Sequence, residues 1–460
     1  MSSTIKRNKY EIDMCNGTIM DKLISFSLPL MLSGILQLMF NAVDIIVIGR
    51  FSGSQSLAAV GSTTALINMF TNLFIGISLG ANVLSARFYA AGKDKEMSET
   101  VHTAITLALI SGIIMVFVGL IFAKPVLELM DTPDDVINLS TLYMRIYFMG
   151  MPFFMLYNYG ASILRAVGDT KRPLFYLIVA GIANAGLNMC LVIIFHLGVA
   201  GVAIGTVISQ LISSILVLRC LYRSETSYQL RFSKLKIQKE YLKQIFQVGI
   251  PAASDVYKRQ VINFSNVLLQ SSVNSFGSIA MAGYTAANNI FGFLYVTVNA
   301  VTQACMSFTS QNYGVGKWKR MDRVLIDCLI LSFVAMMILG NSAYFFGPKL
   351  LTIYTSNSKV IQCGMEILLY TTVTYFLCGF MDLFPGALRG MGRSGVPMIL
   401  SIIGTVGTRI VWIFWIFPNH RSLDILFISY PASWIITIVL QVICYYFVRK
   451  QLYAKMRAEA

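Results

Sequence analysis

Long apolar runs alternate along the chain with short segments that are polar or rich in Gly and Pro. The alternation marks out about twelve stretches: roughly 23–48, 57–85, 100–123, 138–160, 174–195, 198–218, 245–272, 279–309, 324–347, 362–385, 397–417 and 425–448. A helix needs ~20 apolar residues to cross a bilayer, so the longer runs leave room for tilt or a kink. Runs this long and unbroken predict helices, whereas a membrane barrel would show ~10-residue segments of alternating polarity. The expected fold class is an all-α polytopic membrane protein with twelve transmembrane helices.

The second half repeats the first. Tyr89 and Tyr313, Gly92 and Gly316, Lys93 and Lys317, Arg165 and Arg389, Gly168 and Gly392, and Pro173 and Pro397 all lie 224 residues apart. Earlier in each half the offset is 222, as for Pro29 with Pro251 and Gly61 with Gly283. A constant offset over glycines, prolines and charges is an internal repeat. Each copy holds six spans, an even number, so both copies enter the membrane in the same direction and the repeats are parallel. The expected organisation is an N-terminal six-helix lobe over residues 1–219, a cytoplasmic linker over 220–243 and a C-terminal lobe over 244–460. In the shared pattern Leu-Arg-x-x-Gly-x4-Pro, the arginine ends a helix, the glycine turns the chain and the proline opens the next span.

Composition agrees with a membrane protein: 56% of residues are hydrophobic and 12% charged, against about 25% charged in soluble domains. The net charge of +15 raises the question of nucleic acid, and the placement of the charges answers it. Of 36 Lys and Arg, 27 fall on one side if the termini and alternate loops share a face, and five on the other. That asymmetry is the positive-inside rule with both termini cytoplasmic, so it reports topology and predicts no nucleic-acid partner. Residues 1–22 are polar and charged, and the first span is expected to act as its own targeting signal. The eight cysteines are dispersed, with no Cys-x-x-Cys pair, which argues against a disulfide framework or zinc site.

The polar positions inside the spans carry the candidate chemistry. Ser33, Gln37, Asn41 and Asp44 recur at spacings of four, four and three on the first span, so they share one helical face. A carboxylate at that depth costs ~2.5–3.5 kcal/mol to insert, and other spans must answer it. Asn184 and Asn188 share a face of the fifth span, and Thr206, Gln210 and Ser213 stripe the sixth. One carboxylate with amide and hydroxyl oxygens suits a small hard cation such as Na+ at Asp44, Asn184 and Thr206. It equally suits a carboxyl that takes up a proton. Gln37 and Asn41 are candidate substrate contacts. So are Tyr375 and Asp382, which fall on one stripe of the tenth span with Thr371 and Cys378. A tyrosine beside a carboxylate in an apolar wall can receive an organic cation.

Several motifs are excluded. Gly76-Ile77-Ser78-Leu79-Gly80 matches a hydrolase elbow but lies inside a span with no strand before it. No P-loop, HExxH or dinucleotide fingerprint occurs. The expectation is therefore a protein that is not an enzyme, uses no cofactor, and draws any uphill transport from an ion gradient. One segment departs from its repeat partner: Asp255-Val256-Tyr257-Lys258-Arg259-Gln260 brings three charges into the seventh span, where the first copy is almost wholly apolar.

The chain resembles the multidrug and toxic compound extrusion (MATE) family, and most its bacterial DinF-type branch. The resemblance rests on Gln37 through Gly49 (QLMFNAVDIIVIG), Leu57 through Gly61 (LAAVG), Asn184 with Asn188, and Gly198 through Ala203 (GVAGVA). The second copy adds Gln311 through Gly314 (QNYG) and Ala387 through Gly392 (ALRGMG). It implies two six-helix lobes forming a V around a central cavity, in a monomer of the bacterial cytoplasmic membrane. It implies an antiporter that expels cationic amphipathic compounds in exchange for Na+ or H+. Asp44 matches the aspartate of the family's N-lobe coupling site, with Asn184 and Thr206 its partners. Asn188 stands where many members carry a second aspartate, a departure that removes one charge. Asp382 resembles a tenth-span aspartate of the second lobe. The alternative is a flippase for a lipid-linked precursor, of related architecture, for which Arg145, Arg409, Lys258 and Arg259 are the candidate cavity cations.

Overall fold

The computed structural model describes residues 9–130, 132–250, 269, 272–273, 275–353 and 357–459. Its first half runs α1 (Met20–Phe51), α2 (Gly53–Ala90), α3 (Asp94–Leu129), α4 (Asp134–Met149), α5 (Met151–Ala166), α6 (Lys171–Met189) and α7 (Gly198–Tyr222). The second half runs α8 (Ser278–Gly314), α9 (Trp318–Phe345), α10 (Gly347–Leu351), α11 (Ser358–Thr372), α12 (Tyr375–Gly390), α13 (Gly395–Ile402), α14 (Thr408–Val411) and α15 (Leu423–Glu459). Among the described residues, nine helices are long and apolar enough to cross a membrane, and the pair α11–α12, bent by 41°, makes a tenth. The expected fourth span is α4 plus α5, which meet at Gly150. Most of the expected seventh span, with Asp255 to Gln260, lies outside the described residues.

The repeat recurs in the backbone. The fourth span breaks at Gly150 and the tenth at Val373–Thr374, again 224 apart. The fifth span ends in a π-turn at Cys190–Ile194 and the eleventh in one at Trp412–Ile416. Four glycines, at 92, 168, 316 and 392, take positive φ values of 65°, 96°, 69° and 77°. Each lets the next residue's N–H reach back five residues: Lys93 to Phe88 O (3.0 Å), Asp169 to Leu164 O (2.9 Å), Lys317 to Asn312 O (2.9 Å) and Arg393 to Leu388 O (2.8 Å). These bonds satisfy helix-end carbonyls that have no intrahelical partner. The expected Leu-Arg-x-x-Gly-x4-Pro hairpins are built this way in both halves.

Gly168 is confined twice over, because a Cβ there would also lie 2.6 Å from the Ile12 carbonyl oxygen. Gly168→Ala is expected to cost about 1–2 kcal/mol from left-handed strain alone, with the clash adding to it. A thermal melt of the purified protein in detergent checks this: the midpoint should fall by several degrees. An unchanged midpoint would refute the assignment.

The chain forms two compact units, one of Met1–Met14 with Leu28–Ala253, the other of Cys15–Ser27 with Ser254–Ala460. Two features depart from the expected lobe boundaries. Residues 15–27 belong with the second unit. There Lys317 Nζ donates to Cys15 O (2.9 Å) and Asn16 Oδ1 (2.7 Å), and Phe26 meets Phe308 edge-on with centroids 5.7 Å apart. The expected linker is seated in the first unit: Arg231 N donates to His102 Nε2 (3.0 Å) and Gln238 N to Thr103 Oγ1 (3.2 Å). The segment before α1 also docks on the first unit, where Tyr89 and Tyr228 hydroxyls donate to the Glu11 carboxylate at 2.5 and 2.6 Å. The core of this unit gathers Phe148, Met151, Met155 and Tyr159. Met144, Met151 and Met155 are buried there as packing, while Met149 is exposed. The core of the second unit is aromatic, with Tyr284, Tyr375, Phe427, Tyr430 and Trp434 in one cluster.

Candidate cation site

Three helices of the first unit bring the predicted oxygen atoms together. Asn188, near the end of α6, donates from Nδ2 to Asp44 Oδ1 of α1 at 2.5 Å and to Asn184 Oδ1 at 3.3 Å. Asn184 Nδ2 in turn donates to Thr206 Oγ1 of α7 at 3.4 Å, and Thr206 donates to Val202 O at 3.0 Å. Asp44, Asn188, Asn184 and Thr206, the coupling residues that the resemblance implies, thus form one hydrogen-bonded chain. Asn184 and Asn188 are buried, and Asp44 is half-buried. Fixed amide donors stand in for the water that an ionised carboxylate loses on entering a bilayer.

Glycines make the approach of these helices possible. A Cβ at Gly205 would lie 2.1 Å from Asn188 Oδ1, so the bare backbone of α7 is what admits the asparagine side chain. Gly201, one turn earlier, sits against Leu191, where a Cβ would be 3.2 Å from both its carbonyl carbon and its Cβ. The pair therefore acts as a close-packing motif against α6. Gly181 does the same on the other side of α6, where the Phe40 ring of α1 occupies the space a Cβ would take. On α4, Tyr143 and Tyr147 are ring neighbours of the same unit, with centroids 6.1 Å apart. Sequence reasoning missed these tyrosines. Their one signal was an i, i+4 spacing, which packing alone also explains.

The donor set fits a small hard cation. Asp44 supplies charge, Thr206 a hydroxyl oxygen, and Asn184 an amide oxygen. Asn188 Oδ1 is buried with no hydrogen-bond partner, and a buried lone pair left unsatisfied is costly unless something takes it. All of these are oxygens, as Na+ prefers.

The other predicted contacts divide between the units. Gln37 and Asn41 are exposed on α1 of the first unit. Tyr375 and Asp382 lie two turns apart on α12 of the second. Tyr375 is buried, donates to Phe291 O (3.5 Å), stacks on Phe291 and meets Trp434 edge-on at 5.7 Å. It is therefore part of an aromatic wall, with its hydroxyl engaged. Asp382 is half-buried on the same helix.

The family model MatE matches residues 29–190 and again residues 258–415. The chain belongs to the MatE family. One model matching each half agrees with the internal repeat of this chain. Asp44, Asn184 and Asn188 of this MatE chain fall inside the first matched segment, and Thr206 lies 16 residues beyond it. The chain is 29% identical over 437 residues to the probable multidrug resistance protein YoeA of Bacillus subtilis, covering 93% of each. It is 24% identical to the probable multidrug resistance protein NorM of Thermotoga maritima, covering 85% of this chain and 84% of that one. It is 23% identical to the multidrug export protein MepA of Staphylococcus aureus, covering 83% and 84%. Among solved structures, MATE in complex with MaL6 matches with a TM-score of 0.87 at 20% identity, over 98% of this chain and 100% of that one. A MATE family transporter of the MOP superfamily in an outward-facing conformation matches at 0.85, also 20% identical, over 98% and 99%. This MatE protein is thus a multi-pass helical membrane transporter and not an enzyme.

Proposed function

We propose that this protein exports cationic amphipathic compounds from a bacterial cytoplasm in exchange for Na+ or H+. The observation that carries the reading is the chain Asp44–Asn188–Asn184–Thr206, a half-buried carboxylate joined through amide N–H groups to neutral side chains on two further spans. Binding Na+ or H+ there cancels one charge. A conformation that buries Asp44 more deeply is then favoured by the loss of its desolvation penalty, and the one that exposes it to water is favoured when the ion leaves. An ion that binds two conformations unequally shifts their populations, and this is what coupling requires. The working cycle is alternating access, with both termini cytoplasmic, and Gln37, Asn41 and Asp382 are the proposed substrate contacts, whereas Tyr375 is buried with its hydroxyl on Phe291 O. The relatives named for multidrug resistance and multidrug export support the export of drug-like compounds.

The flippase alternative is not favoured. Its candidate cation Arg409 is 3% exposed and turned onto Tyr430, so it is not free to receive a pyrophosphate. The deciding experiment is efflux measured as uptake of a fluorescent organic cation into everted vesicles, driven separately by a sodium gradient and by a pH gradient. One of the two should drive efflux. Transport indifferent to both would reject the reading.

A further inference from the structure

The linker after α7 is basic, and its bonds fix the depth at which those charges stand. Leu230 N donates to Leu221 O at 3.0 Å, in the last turn of α7. Arg231 and Gln238 are held by His102 and Thr103 of α3, at the start of the apolar run over residues 100–123. The linker therefore lies along the ends of two spans, at the level of lipid headgroups, and does not stand out into water. Exposed rings mark the same level. Tyr222 and Phe232 are 52% and 57% exposed and stack with centroids 5.7 Å apart, and tyrosine is enriched where a membrane meets water.

Two hollows open at this level, both within the first unit. The first, of about 520 Å³, lies between α3 and residues 233–238 and is lined by Lys95, Ser233, Lys234 and Lys236, with Glu99 as its carboxylate. The three lysines are exposed, and among the described residues none of them is ion-paired. The hollow thus has a surplus of positive charge. His102 also lines it, but both ring nitrogens are engaged, by Ser98 O at 2.6 Å and Arg231 N at 3.0 Å. The second hollow, of about 560 Å³, follows on the helix that opens at residue 239, and the two adjoin in sequence at Gln238 and Lys239. Lys239, Leu242, Lys243, Phe246 and Ile250 line it, at spacings that share one helical face. The lysines stand nearer the linker, and the apolar side chains run on beyond them.

That order matches a phospholipid, which presents its phosphate at the membrane surface and its acyl chains below. A soluble anion would use the lysines and leave the apolar stripe without a purpose. We propose that the first unit binds an anionic phospholipid from the leaflet on the linker side. Lys95, Lys234 and Lys236 hold its phosphate, and an acyl chain lies along Leu242, Phe246 and Ile250. Basic pockets beside membrane spans take anionic headgroups in this way. The lipid holds the linker against α3 and so stabilises the folded chain by mass action.

The test is native mass spectrometry of the purified protein in detergent, titrated with dioleoyl phosphatidylglycerol or with dioleoyl phosphatidylcholine, with melting curves recorded alongside. The first phosphatidylglycerol is expected to bind about tenfold or more tightly than phosphatidylcholine and to raise the melting midpoint further. Each lysine near an anionic headgroup is worth about fivefold in affinity. The triple variant Lys95→Gln, Lys234→Gln, Lys236→Gln should therefore lose about tenfold or more for phosphatidylglycerol and nothing for phosphatidylcholine. Lys171→Gln is the control, an exposed lysine on the same side of the membrane that lines neither hollow, and it should bind as the parent does. Glycerol 3-phosphate, which has the charge without the chains, should not displace the lipid at about a hundredfold excess. Equal affinity for the two lipids would overturn the proposal. So would a triple variant that keeps the preference, an equal loss in Lys171→Gln, or displacement by glycerol 3-phosphate. If the triple variant does not fold, the parent's preference and the displacement arm still decide. Binding is read without transport, so failure of the ion-coupled reading would leave this result untouched.

Discussion

Asp44→Asn is expected to reduce ion-driven efflux to the level of empty vesicles while the protein still reaches the membrane. Asn is nearly isosteric with Asp, and the amide can still accept from Asn188 Nδ2 through its oxygen, so the bond seen at 2.5 Å has a neutral replacement. What disappears is the ability to alternate between charged and neutral. Without it no ion distinguishes one conformation from another, and a ligand that binds both alike shifts nothing. Removing a half-buried charge also relieves a desolvation cost, so the variant should be at least as heat-stable as its parent. Efflux and melting are therefore expected to move in opposite directions, which loss of folding would not produce. Driven efflux at the parental rate would remove Asp44 from the mechanism.

Gly205→Ala is the second large effect, and it acts through geometry alone. The added methyl would sit 2.1 Å from Asn188 Oδ1, and the side chain must rotate or the helices must part. Either movement separates Asn188 from Asp44. Overpacking of this kind costs about 1–3 kcal/mol, and efflux should fall by about tenfold or more through loss of the positioned donor. Gly186→Ala is the matched control on α6, since nothing lies within 4 Å of its Cβ position. There alanine should be neutral or slightly stabilising, by up to about 1 kcal/mol. Equal behaviour of the two variants in efflux would show that the closeness of α7 to Asn188 has no functional weight.

Much of this protein was legible in the one-dimensional pattern. Apolar runs of bilayer length can only be helices, because an unpaired backbone group in hydrocarbon is too costly. A fixed offset between glycines, prolines and charges can only be a repeat. That Asp44, Asn184, Asn188 and Thr206 stand among the polar faces of their spans was also readable, since the helical period shows which polar residues share a face. Gln210 and Ser213 fit the same stripe, however, and the narrower set came from the family resemblance.

Tertiary structure decided what period and composition cannot. It made Asn188, rather than Thr206 or Gln210, the residue that touches Asp44. That depends on Gly205 and Gly181 drawing α7 and α1 against α6, and interhelical distance leaves no trace in hydropathy. It closed Tyr375 into an aromatic wall, because whether a tyrosine faces a void or a neighbour depends on what packs across from it. It seated residues 15–27 with the second unit through Lys317 and Phe308, partners some three hundred positions away. It also brought the buried Arg409 over the Tyr430 ring, 4.3 Å from its centroid, a contact between spans that the spacing of polar residues does not reveal.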